Sequence, residues 1–178
     1  MRSNGANRGF SLLELMTVIV IIAILAVLTV QGYGFLIYRA QRTSCTNNLR
    51  SLFAAASSYV NDYQSWPQVS TANVSGTPYA QAWIAALAPY KISTTNWVCP
   101  SVQRLLNNPD LTQPQNVRVD YFATPFDSNP ASPMRYPSQP WFIESANVHG
   151  DGNLMILTNG LVESLNEALV SGTGSAAP

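Results

Sequence analysis

Twenty-one residues from Phe10 to Val30 carry one charge, Glu14, and are otherwise almost entirely apolar. As a helix they span about 30 Å, the hydrocarbon thickness of a bilayer. Past Arg39 the pattern changes. Leu49, Leu52, Phe53, Ala56, Tyr59, Val60 and Tyr63 recur at steps of three and four, which marks one apolar helical face. Asn47, Asn48, Arg50, Ser51, Ser57, Ser58 and Asp62 fall opposite them. The predicted helix is thus apolar all round in its first half and amphipathic in its second, and Trp66-Pro67 ends it, because a residue before proline avoids helical angles. Between the halves, Gly32 and Gly34 weaken the helix by about 2 kcal/mol relative to alanine. They are either a soft point or a tolerated weakness.

Beyond the helix the period shortens. Leu154 to Leu157 and Leu161 to Leu165 are apolar runs joined across Thr158-Asn159-Gly160. Asn-Gly favours a type I′ hairpin turn, so two antiparallel strands are predicted there. Val117 to Phe122 alternates with period two and predicts a third strand, and Trp141 to Ile143 a fourth. Tyr79 to Leu87 and Ser101 to Asn107 predict short helices. Five prolines between Thr124 and Pro140 predict irregular loop. The fold class is α+β: a long N-terminal helix packed on a small antiparallel sheet.

A carboxylate four residues past Phe10 in a membrane-length run is costly and calls for a partner or an interface. The small residue that a leader protease would favour, Gly9, lies before the apolar run rather than after it, unlike an ordinary secretory signal. Gly9-Phe10-Ser11-Leu12-Leu13-Glu14 closely resembles the start of type IV pilins and type II secretion pseudopilins. The resemblance implies a prepilin peptidase that cuts between Gly9 and Phe10 and methylates the new Phe10 amine. It also implies a pilin-like fold and polymerisation through the N-terminal helix. In a staggered stack, Glu14 of one subunit would then meet the Phe10 amine of the next. The alternative is that Glu14 snorkels to the headgroups. The organisation read this way is a cleaved basic leader (1–9), a transmembrane and assembly helix (10–38), its amphipathic half (39–63), a periplasmic or extracellular head (64–170) and a flexible tail (171–178). Many pilins carry a proline in the stalk; this chain has the two glycines instead.

A second resemblance is to pseudopilin-like proteins with a Cys-Xaa-Xaa-Asn-Leu patch, a later Cys-Pro-Ser and a C-terminal His, nine residues, Asp-Gly. The counterparts are Cys45-Thr46-Asn47-Asn48-Leu49, Cys99-Pro100-Ser101, and His149 followed after nine residues by Asn159-Gly160. Asn159 for Asp is a departure that leaves the turn intact but not a carboxylate role. On the implied topology both cysteines face an oxidising compartment. A Cys45–Cys99 bridge would be worth about 4 kcal/mol, and the alternative is two buried thiols.

Composition narrows the partners. Nine basic and nine acidic residues leave the chain neutral, so no nucleic-acid partner is expected. Arg2 and Arg8 precede the apolar run while Arg39 and Arg42 follow it, so charge alone does not orient the span. The resemblance puts the N-terminus in the cytoplasm of a bacterial inner membrane and the head outside, later in a filament. No catalytic constellation is present: one histidine with scattered serines is no triad. One histidine and two distant cysteines give little support for a metal, so no cofactor is expected. His149-Gly150-Asp151-Gly152-Asn153 is either a glycine turn or a weak calcium loop with Asp151 and Asn153 as ligands. Trp66, Trp83, Trp97 and Trp141 are either a binding surface or core. The expected function is a structural filament subunit, not an enzyme. Its expected partners are pilin subunits, prepilin peptidase, an inner-membrane platform with its ATPase, and the bilayer before assembly. The alternative is a membrane-tethered monomeric binding module or enzyme that uses the leader only for sorting.

Overall fold

The computed structural model describes residues 10–72, 76–106, 118–129 and 138–171, with backbone alone for 30–32. The leader with Gly9, together with Asn107, Val117, residues 130–137 of the proline-rich loop and residues 172–178, lies outside them. The chain divides into two compact units, one ending at Arg39 and the other beginning at Ala40.

Helix α1 (Leu12–Tyr63) contributes to both units and runs through Gln31-Gly32-Tyr33-Gly34 without interruption. It stops three residues before Trp66, where Gln64 turns to φ 55° and donates its amide to the Val60 carbonyl. In the second unit the face of α1 that is buried comprises Cys45, Leu49, Leu52, Ala55, Ala56 and Val60. Two expectations for this face need correction. Tyr63 is exposed and packs on Tyr59 instead, with ring centroids 4.5 Å apart. Asn48, expected on the solvent side, is half-buried and bonded inward.

Helices α2 (Thr77–Leu87) and α3 (Pro100–Leu106) match the predicted short helices to within a few residues. Two 3-10 turns, Ala88–Tyr90 and Thr94–Trp97, separate them. Proline at the second position of α2 and at the start of α3 suits the orphan amides of a first turn.

Four strands, β1 (Tyr121–Ala123), β2 (Pro140–Glu144), β3 (Leu154–Leu157) and β4 (Val162–Ser164), form an antiparallel meander in chain order. β1 starts later than the Val117–Phe122 expectation: just before it the Asp120 amide turns to the Trp97 carbonyl, and the Asp120 carbonyl accepts the Ser145 amide past the end of β2. All of β3 is buried, and its residues alternate between two cores. Leu154 and Ile156 join the main core with α1, while Met155 and Leu157 pack with Ala168 on the other face. A continuous apolar strand is what a sheet covered on both sides requires. The covering element is helix α4 (Leu165–Ser171), where the apolar run was expected to continue as strand to Leu165. Ser164 and Glu167 cap it reciprocally, the Ser164 amide to Oε2 at 2.7 Å and the Glu167 amide to Ser164 Oγ at 3.2 Å.

The Asn159-Gly160 turn is also of a different type. Gly160 has φ 82°, but Asn159 has no positive φ, so this is not a type I′ turn. The Gly160 amide bonds the Leu157 carbonyl at 2.9 Å, and the Leu157 amide bonds the Leu161 carbonyl at 2.9 Å. Thr158 to Gly160 is therefore a three-residue loop closing on a left-handed glycine. Asn159 uses Oδ1 to accept the Leu161 amide at 2.9 Å, which holds the residue before the strand.

Candidate functional site

Phe10 and Ser11 precede the first turn of α1, and Phe10 is 80% exposed. The Ser11 carbonyl accepts the Leu15 amide at 3.2 Å. This sets Glu14 within the first turn, where the helix dipole favours a carboxylate. Every residue from 10 to 29 is exposed, with the large apolar side chains from 44% (Val18) to 80% (Phe10) accessible. Among the described residues, α1 is the one helix long and apolar enough to cross a membrane. An apolar surface this continuous is far larger than a soluble monomer leaves bare. It needs lipid or other apolar helices around it.

In the second unit, the separate elements of the Cys-Xaa-Xaa-Asn-Leu, Cys-Pro-Ser and His patterns meet at one buried point. Cys45 of α1 and Cys99, just before α3, form a disulfide with Cα atoms 5.4 Å apart. Asn48, one turn on from Cys45, donates to the Val98 carbonyl at 3.0 Å and to the Tyr121 hydroxyl at 3.4 Å, and accepts from Asn96 at 3.3 Å. Asp120 is 1% exposed; its Oδ2 accepts the Cys99 amide at 2.8 Å and the Arg118 guanidinium at 2.7 Å. Burial pushes the Tyr121 phenol upward, the Glu144 and Asp120 charges add to that, and the Asn48 bond opposes it.

His149 and Glu144 complete the group, at 1% exposure each, with His149 Nε2 3.4 Å from Glu144 Oε1. Glu144 is the last residue of β2 and the register partner of Tyr121. The ligand-type atoms of Cys45, Cys99, Glu144 and His149 all lie within 4.8 Å of one another. The Cys45–Cys99 bridge is the one expected from sequence, whereas nothing in the spacing of Glu144 and His149 joins them to it. Asp120 carried a readable signal, since Arg118 and Asp120 fall on one face of an extended segment. So did α4, since Ser164-Leu165-Asn166-Glu167 has the spacing of a capping box.

The loop from His149 to Asn153 is organised from within. Asn147 Oδ1 accepts the amides of Gly150 at 3.0 Å and Gly152 at 3.2 Å. Gly152 has φ 100°, and a Cβ there would come 3.0 Å from that of Leu165. Asp151 Oδ2 binds Arg42 at 2.7 Å, and the Asp151 and Asn153 carbonyls receive the Asn166 and Leu165 amides of α4. Asn153 donates its side-chain amide to the Glu144 carbonyl at 2.7 Å. Asp151 Oδ2 thus holds Arg42 and the two carbonyls hold α4, while Asp151 Oδ1 has no hydrogen bond among the described residues. The four tryptophans are 0–3% exposed and pack on one another and on Phe142, so they are core.

No curated protein and no solved structure matches the chain. A family model described as the prokaryotic N-terminal methylation motif matches residues 4–30, which take in Gly9, Phe10, Glu14 and the apolar run. The chain therefore carries the N-terminal signal of type IV pilins and pseudopilins, the signal on which prepilin peptidase acts.

Proposed function

We propose that the protein is a structural subunit that polymerises through its N-terminal helix, in a type IV pilus or a type II secretion pseudopilus. The observation that carries this reading is the bare apolar surface of α1 with one carboxylate, Glu14, in its first turn beside Phe10. Cleavage after Gly9 would give Phe10 an amine at nearly the depth of Glu14. Held in the inner membrane with the N-terminus cytoplasmic, the helix has lipid around it. Extracted by an assembly platform and its ATPase, it exchanges lipid for neighbouring helices. The Phe10 amine of one subunit and Glu14 of the next then neutralise each other and set the axial register. Removing one member of a buried ion pair strands the other, at about 3–5 kcal/mol.

The test is Glu14→Ala in the full chain. Filament incorporation should fall by more than about a hundredfold, while membrane insertion and leader cleavage persist. Electron microscopy of sheared filaments reads the first, and mass spectrometry for a methylated Phe10 terminus reads the second. Normal assembly by the variant overturns the charge pairing. Absence of filaments from the parent chain favours a tethered monomer instead.

A further inference from the structure

The disulfide shares its buried point with two other good ligands. We propose that in its dithiol form the Cys45, Cys99, Glu144 and His149 cluster binds one zinc ion, so that metal and disulfide are alternative fasteners at the same place. Three observations carry this. The four ligand-type atoms converge within 4.8 Å of one another. A tetrahedral zinc centre places such atoms about 3.3–3.8 Å apart, so closing on the ion takes shifts on the order of 1 Å. All four residues are at most 1% exposed, which leaves a dry centre. Neither carboxylate oxygen of Glu144 has a hydrogen bond among the described residues, which for a buried carboxylate is costly.

The ligand types select the ion. Two thiolates and an imidazole suit zinc, whereas calcium and magnesium take oxygen ligands. Two thiolates and one carboxylate against Zn²⁺ leave a net charge of −1, as in the Cys₃His centres of structural zinc domains. Asp120 and Asn48 would act as positioning residues, since they hold the Cys99 amide and the Val98 carbonyl in either state.

The exchange balances with a disulfide-bearing thiol oxidoreductase as oxidant. The zinc dithiolate, the oxidant's disulfide and two protons give the Cys45–Cys99 disulfide, free Zn²⁺ and the oxidant's dithiol. Two electrons leave the cysteine sulfurs and reduce the oxidant. A chain that arrives reduced outside the membrane would thus be held by the ion until it is oxidised.

The experiment uses the full chain in detergent micelles, oxidised or reduced with a phosphine under anaerobic conditions. Each sample is mixed with zinc chloride, desalted and assayed for metal. The reduced chain should retain one zinc per chain and the oxidised chain essentially none. Cobalt should give thiolate charge-transfer absorption and intense tetrahedral d–d bands in the reduced sample alone. His149→Gln and Glu144→Gln should each weaken zinc binding about tenfold or more in the reduced chain, against the unsubstituted chain. If the reduced metal-free chain loses its head structure, zinc should restore the far-ultraviolet dichroism, because binding and folding are then coupled. The proposal is overturned if the reduced chain takes up no zinc, if zinc fails to refold it, or if His149→Gln binds as tightly as the parent.

Discussion

Asp120 receives the main-chain amide of Cys99 on Oδ2 at 2.8 Å while its other oxygen faces Arg118. The bond fixes the chain direction at the half of the disulfide that lies outside α1. All four tryptophans lie in the second unit, so intrinsic fluorescence reports its unfolding. In denaturant titrations of the full chain in micelles, Asp120→Ala should cost about 3 kcal/mol, since it strands a partly buried guanidinium and a buried amide together. Asp120→Asn keeps an acceptor and should cost less. Equal costs would mean that charge plays no part.

Gly160 is constrained twice, by φ 82° and by the Phe53 ring, whose Cε1 lies 3.3 Å from where a Cβ would sit. Gly160→Ala should destabilise by about 1–2 kcal/mol from the left-handed backbone alone, with more from the ring. In a Phe53→Leu background the extra part should shrink. A double-mutant cycle with no coupling would assign the whole cost to the backbone.

Glu167 is held below the usual carboxylate range, first by the Ser164 amide, with the Ser164 hydroxyl and Arg42 helping and partial burial opposing. A carboxyl with a depressed folded-state pKa contributes stability above its unfolded value, and this is lost as pH falls through the folded one. Acid should therefore loosen α4 before the main core. Ser164→Ala should remove about 1 kcal/mol of capping yet keep most of this acid dependence, because the Ser164 amide remains, whereas Glu167→Gln should abolish it. Hydrogen exchange at residues 165–171 against pH measures it.

Tyr90 donates its hydroxyl to Asp62 Oδ2 at 2.8 Å, across the end of α1. Its pKa is pushed up to about 12, chiefly by desolvation, with the Asp62 hydrogen bond and charge adding. For a group raised in the folded state, the contribution is fully present below the unfolded value near 10 and disappears as pH rises through the folded one. The difference in phenolate absorbance between the parent and Tyr90→Phe should titrate near 12, and Asp62→Asn should move that midpoint down. An unchanged midpoint would remove Asp62 from the account.

Local periodicity reported on what it could see. The apolar and amphipathic halves of α1, the two short helices and the β3 run could be read from spacing, because burial on one or both faces dictates those patterns. The type of the Asn159-Gly160 turn could not, since it depends on where Phe53 and the Leu161 amide lie. The apolar run predicts strand to Leu165, but the reciprocal cap between Ser164 and Glu167 starts a helix there. The cluster around the cysteines is a tertiary fact. Cys45, Cys99, Glu144 and His149 come from four segments, and only the meander brings the end of β2 under α1.

The strands at the two sides of the sheet, β1 and β4, are three residues each, and α4 follows β4 at once. A chain whose helix crowds copies of itself together raises the local concentration of everything attached to it. Long bare strand edges would then pair between neighbours and gum the array into aggregates. Edges this short offer too few amides and carbonyls to template such pairing, so in the proposed filament the heads would stay separately folded.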